Sequence, residues 1–229
     1  MKDEGKENFP STACRLPPTR RLIIFDLGRV LMRICDSWRH ACEVAGITVK
    51  TDWPVLDAAE QERLAEVIQA FDTGRIELNA FAERAAQLRG LSAEQVIAIN
   101  NGYLLGPYDG VGELVDELNA AGHGTACLSN TNANHWRMLS DPADRHGRVI
   151  SRLGRQFASH LMGVRKPDPV IYERVEKETG IGPDRIVFFD DLPENIAAAQ
   201  QRGWTAHLVE ICENPIPMIR ERLRQEGVL

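Results

Sequence analysis

Short apolar runs that end on polar clusters, spaced by stretches of helix length, most narrow what this chain can fold into. Leu22-Ile23-Ile24-Phe25, Thr125-Ala126-Cys127-Leu128, Ile186-Val187-Phe188-Phe189 and the run 205–209 are each too short for a helix. Their apolar residues crowd together instead of alternating with polar ones, the pattern of strands buried on both faces of a sheet. A weaker run of the same kind lies at 157–159. Helical patterns at 111–121, 133–139, 169–179 and 194–202 separate these runs, whereas 141–156 has no clear period. Repeated helix-then-strand order predicts an α/β fold, a doubly wound parallel sheet wrapped by helices. Open sheets of this kind carry their chemistry beyond the carboxyl ends of the strands.

With 229 residues and 43% hydrophobic content the chain can bury a sizeable core and leave room for an insertion. After the first strand the pattern is helical as far as Leu105, with helices expected at 38–45, 57–71, 78–89 and 93–100 and no strand-like run among them. Asn79 and Ser92 stand where N-caps belong, and Gly46, Gly74 and Gly90 where helices stop. The expected organisation is a flexible tail at 1–20, an α/β core at 21–35 and 106–229, and a helical insertion at 36–105.

A net charge of −6 argues against broad attraction to nucleic acid or to an anionic membrane and favours small-molecule work. Five scattered cysteines without a Cys-x-x-Cys pair signal neither a disulfide framework nor a zinc site, which fits a reducing cytoplasm. No apolar stretch approaches the roughly 20 residues of a spanning helix, and the first twenty residues lack the apolar core of a secretory signal. Monomer and homodimer both remain open.

Four polar clusters follow the apolar runs. Asp26 and Gly28 follow the first, and Asp26 is the candidate nucleophile. Ser129-Asn130-Thr131-Asn132 follows the second and opens a helix, where a hydroxyl and backbone N–H groups suit a phosphate. Arg165-Lys166-Pro167 supplies a point positive charge through Lys166, while Arg165 reads as a solvated surface residue. Asp190-Asp191 ends the clearest strand, and two adjacent buried carboxylates are costly unless a cation or lysine neutralises them. Taken singly, each cluster has a plain explanation: a turn aspartate, a helix-capping serine, a surface lysine, an acidic helix start. Together they describe phosphoryl transfer, with Asp26 and Asp191 as oxygen ligands for Mg²⁺, Ser129 and Lys166 holding the transferring group, and an aspartyl phosphate forming on Asp26.

In this order, Asp26-Leu27-Gly28-Arg29-Val30, Ser129-Asn130, Lys166-Pro167 and Asp190-Asp191 resemble the four motifs of the haloacid dehalogenase-like hydrolase superfamily. The resemblance runs from about Leu22 to Val209, and the helical insertion sits where that family places a substrate-selecting cap. Finer detail, in Gly163-Val164-Arg165-Lys166-Pro167, His135 and Asn195, is similar to the branch containing the bacterial α-glucose-1-phosphate phosphatase and the phosphatase domain of soluble epoxide hydrolase. The resemblance implies attack by Asp26 on phosphorus and Mg²⁺ held by Asp26, the carbonyl of Gly28 and Asp191. It implies that Asp190 acts on the metal mainly at one remove, and that Asn130 belongs to the phosphate-binding set with Ser129 and Lys166.

One position departs from the family pattern. Its phosphatases usually carry a second aspartate two residues after the nucleophile, as acid and base, and here that residue is Gly28. General acid–base catalysis is worth about 10²–10⁴-fold, so leaving groups that need little protonation are expected, anomeric sugar phosphates or aryl phosphates, or else Asp36 or another cap group substitutes. The expected substrate is a small phosphorylated metabolite, a sugar phosphate by resemblance. Two competitors stand beside it: a dehalogenase, which needs no metal, and a phosphate-binding regulatory module with weak turnover. His135 is expected to pack or orient the loop, and Trp38, Trp53 and Phe71 to serve core or pocket.

Overall fold

The computed structural model describes residues 17, 19–49, 55–144 and 146–229. Nearly all of the expected tail at 1–20 lies outside the described residues, as do Trp53 and Arg145. Regular structure begins with β1 (Leu22–Phe25) and β2 (Met32–Ile34), followed by α1 (Trp38–Val44), α2 (Ala58–Asp72), α3 (Leu78–Arg89) and α4 (Ala93–Gly102). The chain returns through β3 (Leu104–Pro107) and α5 (Val111–Ala120) to β4 (Gly124–Ser129), α6 (Ala133–Ser140) and α7 (Gly147–Ile150). Then come β5 (Arg155–Ala158), α8 (Ser159–Met162), α9 (Pro169–Thr179), β6 (Ile186–Asp190), α10 (Pro193–Gln201), β7 (Thr205–Leu208) and α11 (Ile216–Gln225).

Five of these strands form one sheet in the order β5-β4-β1-β6-β7, every pair parallel. The four residues of β1 alternate between two apolar clusters. Ile23 and Phe25 pack with Leu114 and Leu118 of α5 and with Ile219 and Leu223 of α11. Leu22 and Ile24 pack with Ile171 and Val175 of α9 and with Ile196 and Ala199 of α10. Helices thus cover both faces, which is why the central strand carries no polar residue. Burying each such side chain contributes about 1.5–3 kcal/mol. From β1 the sheet grows toward β4 on one side and β6 on the other, so a crevice opens at the end of β1.

Helices α1 to α4 pack largely among themselves. Capping boxes at Asp57 with Glu60 and at Ser92 with Gln95 start α2 and α4, each satisfying two otherwise unpaired N–H groups. Leu64, Phe71, Phe81, Ala82 and Val96 form their core, with the Phe71 and Phe81 rings stacked at 4.4 Å. The second N-cap expected at Asn79 is displaced: Glu77 is the extended residue before α3, without a side-chain cap, and Asn79 lies inside the first turn. A short antiparallel pair, β2 with β3, forms the stem through which the chain enters and leaves these helices. The sequence reading had no strand here, because Leu104–Pro107 carries a glycine and a proline in four residues.

A close contact holds the end of α2 against the sheet domain. Buried Ser159 Oγ accepts from Thr131 N at 2.9 Å and donates to Asp72 O at 2.5 Å. Gly74 has φ +68, and a Cβ there would stand 2.5 Å from His160 O, so this approach needs glycine twice over. The edge strand β5 runs over Arg155–Ala158, two residues earlier than its apolar part suggested, and Ser159 already begins a helical turn. Arg155 and Gln156 pair with Ala126 and Cys127, and polar residues are common on such an edge. Helix α11 was not anticipated, although Ile216, Ile219 and Leu223 give it a buried stripe. No helix among the described residues is long and apolar enough to cross a membrane.

Candidate functional site

Phe25 stands in register with Cys127 on β4 and with Phe189 on β6, so Asp26, Ser129 and Asp190 emerge at the ends of three neighbouring strands. The Asp26 backbone N–H still donates to Phe189 O at 2.8 Å, which continues the ladder to the point where the carboxylate begins. The chain then folds into a tight turn: Leu27 O accepts from Leu31 N at 2.9 Å and from Met32 N at 2.7 Å. Arg29 takes a left-handed conformation in it, φ 58, and its Nη1 reaches Asp191 Oδ2 at 3.5 Å.

Lys166 is the centre of the cluster. Its Nζ lies 2.9 Å from Asp26 Oδ1 and 2.6 Å from Asp190 Oδ2, with the side chain only 1% exposed. The other Asp190 oxygen accepts from Leu192 N at 2.9 Å and from Asn195 Nδ2 at 2.8 Å. Asp190 is therefore buried and engaged at both oxygens, and it fixes the lysine that fixes Asp26. Asn130 holds the same loop from its backbone: Nδ2 donates to Lys166 O at 3.0 Å and Oδ1 accepts from Lys166 N at 2.8 Å. That reciprocal pair occupies the Asn130 side chain, leaving its backbone as the part able to face an anion.

The charges explain the titration of the cluster. Burial pushes the Asp26 carboxyl up to about 6, against the pull of Lys166 and with a further push from Asp190. Burial and Asp190 likewise raise Asp191, with Arg29 opposing. Burial works against the Lys166 ammonium, but Asp26 and Asp190 outweigh it, so lysine stays charged well above neutrality. One oxygen from each of Asp26, Asp190 and Asp191 lies within 4.8 Å of the others. Hard oxygen donors in excess of nearby cations suit a divalent ion such as Mg²⁺. Asp26 and Asp191, the two not locked by Asp190's hydrogen bonds, are the better placed to bind it.

Above the carboxylates is a cavity of about 480 Å³. Asp26, Gly28, Ser129, Asn130, Lys166 and Asp191 line it, so the sequence-predicted residues converge apart from Asp190, which lies beneath the wall. The far wall belongs to α1, α2, α3 and α4, and Trp38 and Phe71 contribute to it. His135 is buried there with Nε2 at 2.7 Å from Asn100 O, an orienting role rather than a free base.

Four charged groups in this cavity, Arg29, Asp72, Arg89 and Arg165, were given no role from sequence. Asp72, the last residue of α2, lines it and is bonded by the Asn132 side chain. Arg165 lines it too, with Nη1 3.9 Å from Asp72 Oδ2, so it is not the solvated surface residue expected. Burial pushes Asp72 up to about 6, opposed by Arg165 and Asn132. Asp36, named as a stand-in acid, is instead 76% exposed, pairs with His40 and does not line the cavity. The usable signal for Asp72 was its place, just before the Thr73-Gly74 helix stop, where a side chain turns back toward the sheet.

The chain is similar to known proteins in sequence and in fold. A sesquiterpene phosphatase, astK, from Aspergillus oryzae is 26% identical over 195 residues, covering 84% of this chain and 91% of that one. A HAD-like family hydrolase from Porphyromonas gingivalis superposes with a TM-score of 0.71 at 26% identity, over 90% of this chain and 98% of that one. The HAD family enzyme bt-2542 from Bacteroides thetaiotaomicron, solved with magnesium and inorganic phosphate, shares the fold with a TM-score of 0.68 at 23% identity, over 85% and 96% of the two chains. The family model for haloacid dehalogenase-like hydrolases matches residues 21–203, the span that carries all four strand-end clusters, and the chain belongs to that family.

Proposed function

We propose that the protein is a Mg²⁺-dependent phosphatase of a small phosphorylated metabolite, working through an aspartyl phosphate on Asp26. The observation that carries this reading is Lys166 Nζ between Asp26 and Asp190, with Asp191 close enough to share a cation. In this reading the Asp26 oxygen that is not held by Lys166 attacks phosphorus, and the P–O bond to the alcohol breaks. Lys166 and Ser129 bind the phosphoryl oxygens, and water then cleaves the acyl phosphate to regenerate Asp26. Asp26, Asp191 and the Gly28 carbonyl would hold Mg²⁺, which supplies charge neutralisation for an anionic nucleophile approaching an anionic substrate. Asp190 positions Lys166. The likeness to a named phosphatase and to a fold solved with magnesium and phosphate supports the same reading.

The acid and base that Gly28 lacks is assigned to Asp72. It shares the cavity with Asp26, and a carboxyl titrating near 6 can be found in either form near neutrality. Against dehalogenation stands charge: a haloacid carboxylate would approach Asp26 and Asp191 together, and without a metal Asp191 has no role. The test is a phosphate-release screen over phosphorylated metabolites, sugar phosphates included, with Mg²⁺ and with a chelator, alongside mass spectrometry of the Asp26 peptide. Phosphate release that a chelator abolishes is expected; halide release from haloacids in chelator would overturn the reading.

A further inference from the structure

We infer that the body of the substrate is apolar, an aryl or branched alkyl group bearing one phosphate monoester. This rests on the phosphatase reading and adds what the phosphate is attached to. The cavity is shared between the strand-end residues and the inner side of α2, α3 and α4. There its wall is mostly apolar, with Leu64, Ile68, Phe71, Phe81, Val96 and Ile99 from three different helices, and Asp72, Arg89 and Asn100 as its polar members. Aliphatic and aromatic side chains from three directions form a binding surface for carbon, and a cavity of about 480 Å³ is of the size that holds a small organic molecule.

Several polar groups around the cavity are already engaged with one another, and Arg89 of α3 lies over the Trp38 ring, 5.0 Å from its centre. Asn132 Oδ1 accepts from His135 N at 3.0 Å, and His135 Nε2 meets Asn100 O at 2.7 Å. Asn100 Oδ1 accepts from Asn134 Nδ2 at 2.8 Å, and Ser37 Oγ accepts from His40 N at 3.2 Å. A sugar brings several hydroxyls, each needing a partner once water is displaced, and a buried hydroxyl without one is unfavourable. An apolar body makes no such demand and gains from each carbon it removes from water. Phosphate selection at Lys166 and Ser129 and carbon selection by the helices are then separate halves of one cavity.

The experiment measures kcat/KM for phosphate release with Mg²⁺ on three groups of phosphoryl compounds. These are apolar (phenyl, 1-naphthyl and citronellyl phosphate, with n-alkyl phosphates from butyl to octyl), sugar (glucose 1-phosphate and glucose 6-phosphate), and acetyl phosphate as a donor with almost no body. Apolar esters are expected to exceed sugar esters by 100-fold or more, with about fourfold per methylene along the alkyl series. Ile68, 38% exposed at the rim, tolerates a charge without unfolding, and Ile68→Asp should lower the ratio of octyl to acetyl phosphate turnover at least tenfold. Sugar esters matching the apolar ones, or a flat alkyl series, would overturn the inference. Turnover of acetyl phosphate alone would overturn it while leaving an aspartyl-phosphate hydrolase in place, whereas release from none of these compounds would overturn both.

Discussion

Asp26→Asn should make the metal-free protein more stable while removing its activity. Among the described residues Asp26, Asp190 and Asp191 have Lys166 and Arg29 as their ion-pair partners, so the cluster carries one uncompensated negative charge at neutral pH. The carboxyl of Asp26 titrates at about 6 in the folded protein against 3.8 for an ordinary aspartate. At about 1.36 kcal/mol per pH unit, that difference corresponds to an upper bound of about 3 kcal/mol. Its sign follows from proton counting: between 3.8 and about 6 the folded state binds more protons than the unfolded chain. The contribution is therefore fully present below 3.8 and lost as pH rises through about 6. An asparagine still accepts from Lys166 Nζ but carries no charge, so the variant escapes the loss. In chelator at pH 7.5 it should gain up to about 3 kcal/mol, or about 6–12 °C in Tm for a chain of this size. Near pH 4 the gain should vanish. Urea unfolding at the two pH values measures it, and added Mg²⁺ should narrow the gap by stabilising the wild type. A variant less stable than wild type at pH 7.5, or equally stabilised at both pH values, would refute the reasoning.

Lys166→Met leaves Asp26 and Asp190 buried without their shared cation, and should cost about 3–5 kcal/mol in chelator by urea unfolding at pH 7.5, together with turnover. Asp72→Asn should lower kcat/KM for alkyl phosphates by about 10²–10⁴-fold and spare aryl phosphates. In the wild type, alkyl turnover should fall as pH rises through about 6, because an acid must hold its proton, and this limb should be absent from the variant. Gly28→Asp should restore alkyl turnover to Asp72→Asn: the three atoms nearest to a Cβ at 28 all belong to the Ile34 side chain, the closest being Cδ1 at 3.1 Å, a methyl at its movable end. Gly74→Ala should loosen the insertion from the sheet domain, seen as faster hydrogen exchange at Asp72 and Thr131, because its Cβ would strike the His160 carbonyl.

The site was legible because strand ends are. A residue that directly follows a four-residue apolar run has one place to be, and parallel register brings Asp26, Ser129 and Asp190 together without any knowledge of the loops. Lys166 arrives by a longer route, after β5 and α8, and was readable only as one member of an ordered set. What fixes it, the paired bonds from Asn130 and the carboxylate of Asp190, leaves no mark on residue order. The family resemblance implies that Asp190 acts on the metal mainly at one remove, whereas its neighbour Asp191 binds it. Burial separates the two neighbours: one side chain turns into the core toward Lys166, the next toward the cavity.

The helical wall of the cavity was illegible for a physical reason. Leu64, Phe71, Phe81 and Val96 obey the spacing of a buried helix face because they also build the core that holds α2, α3 and α4 together. A residue that packs its neighbour with one side and lines a cavity with the other leaves the same period as one that only packs. The same ambiguity hid Asp72, whose carboxyl reads as an ordinary helix-end charge until Ser159 and Gly74 are seen to press that end of α2 against the sheet domain. The candidate site is thus written in the strand ends, while the wall facing it is written in how closely two packing units approach, and only coordinates carry that distance.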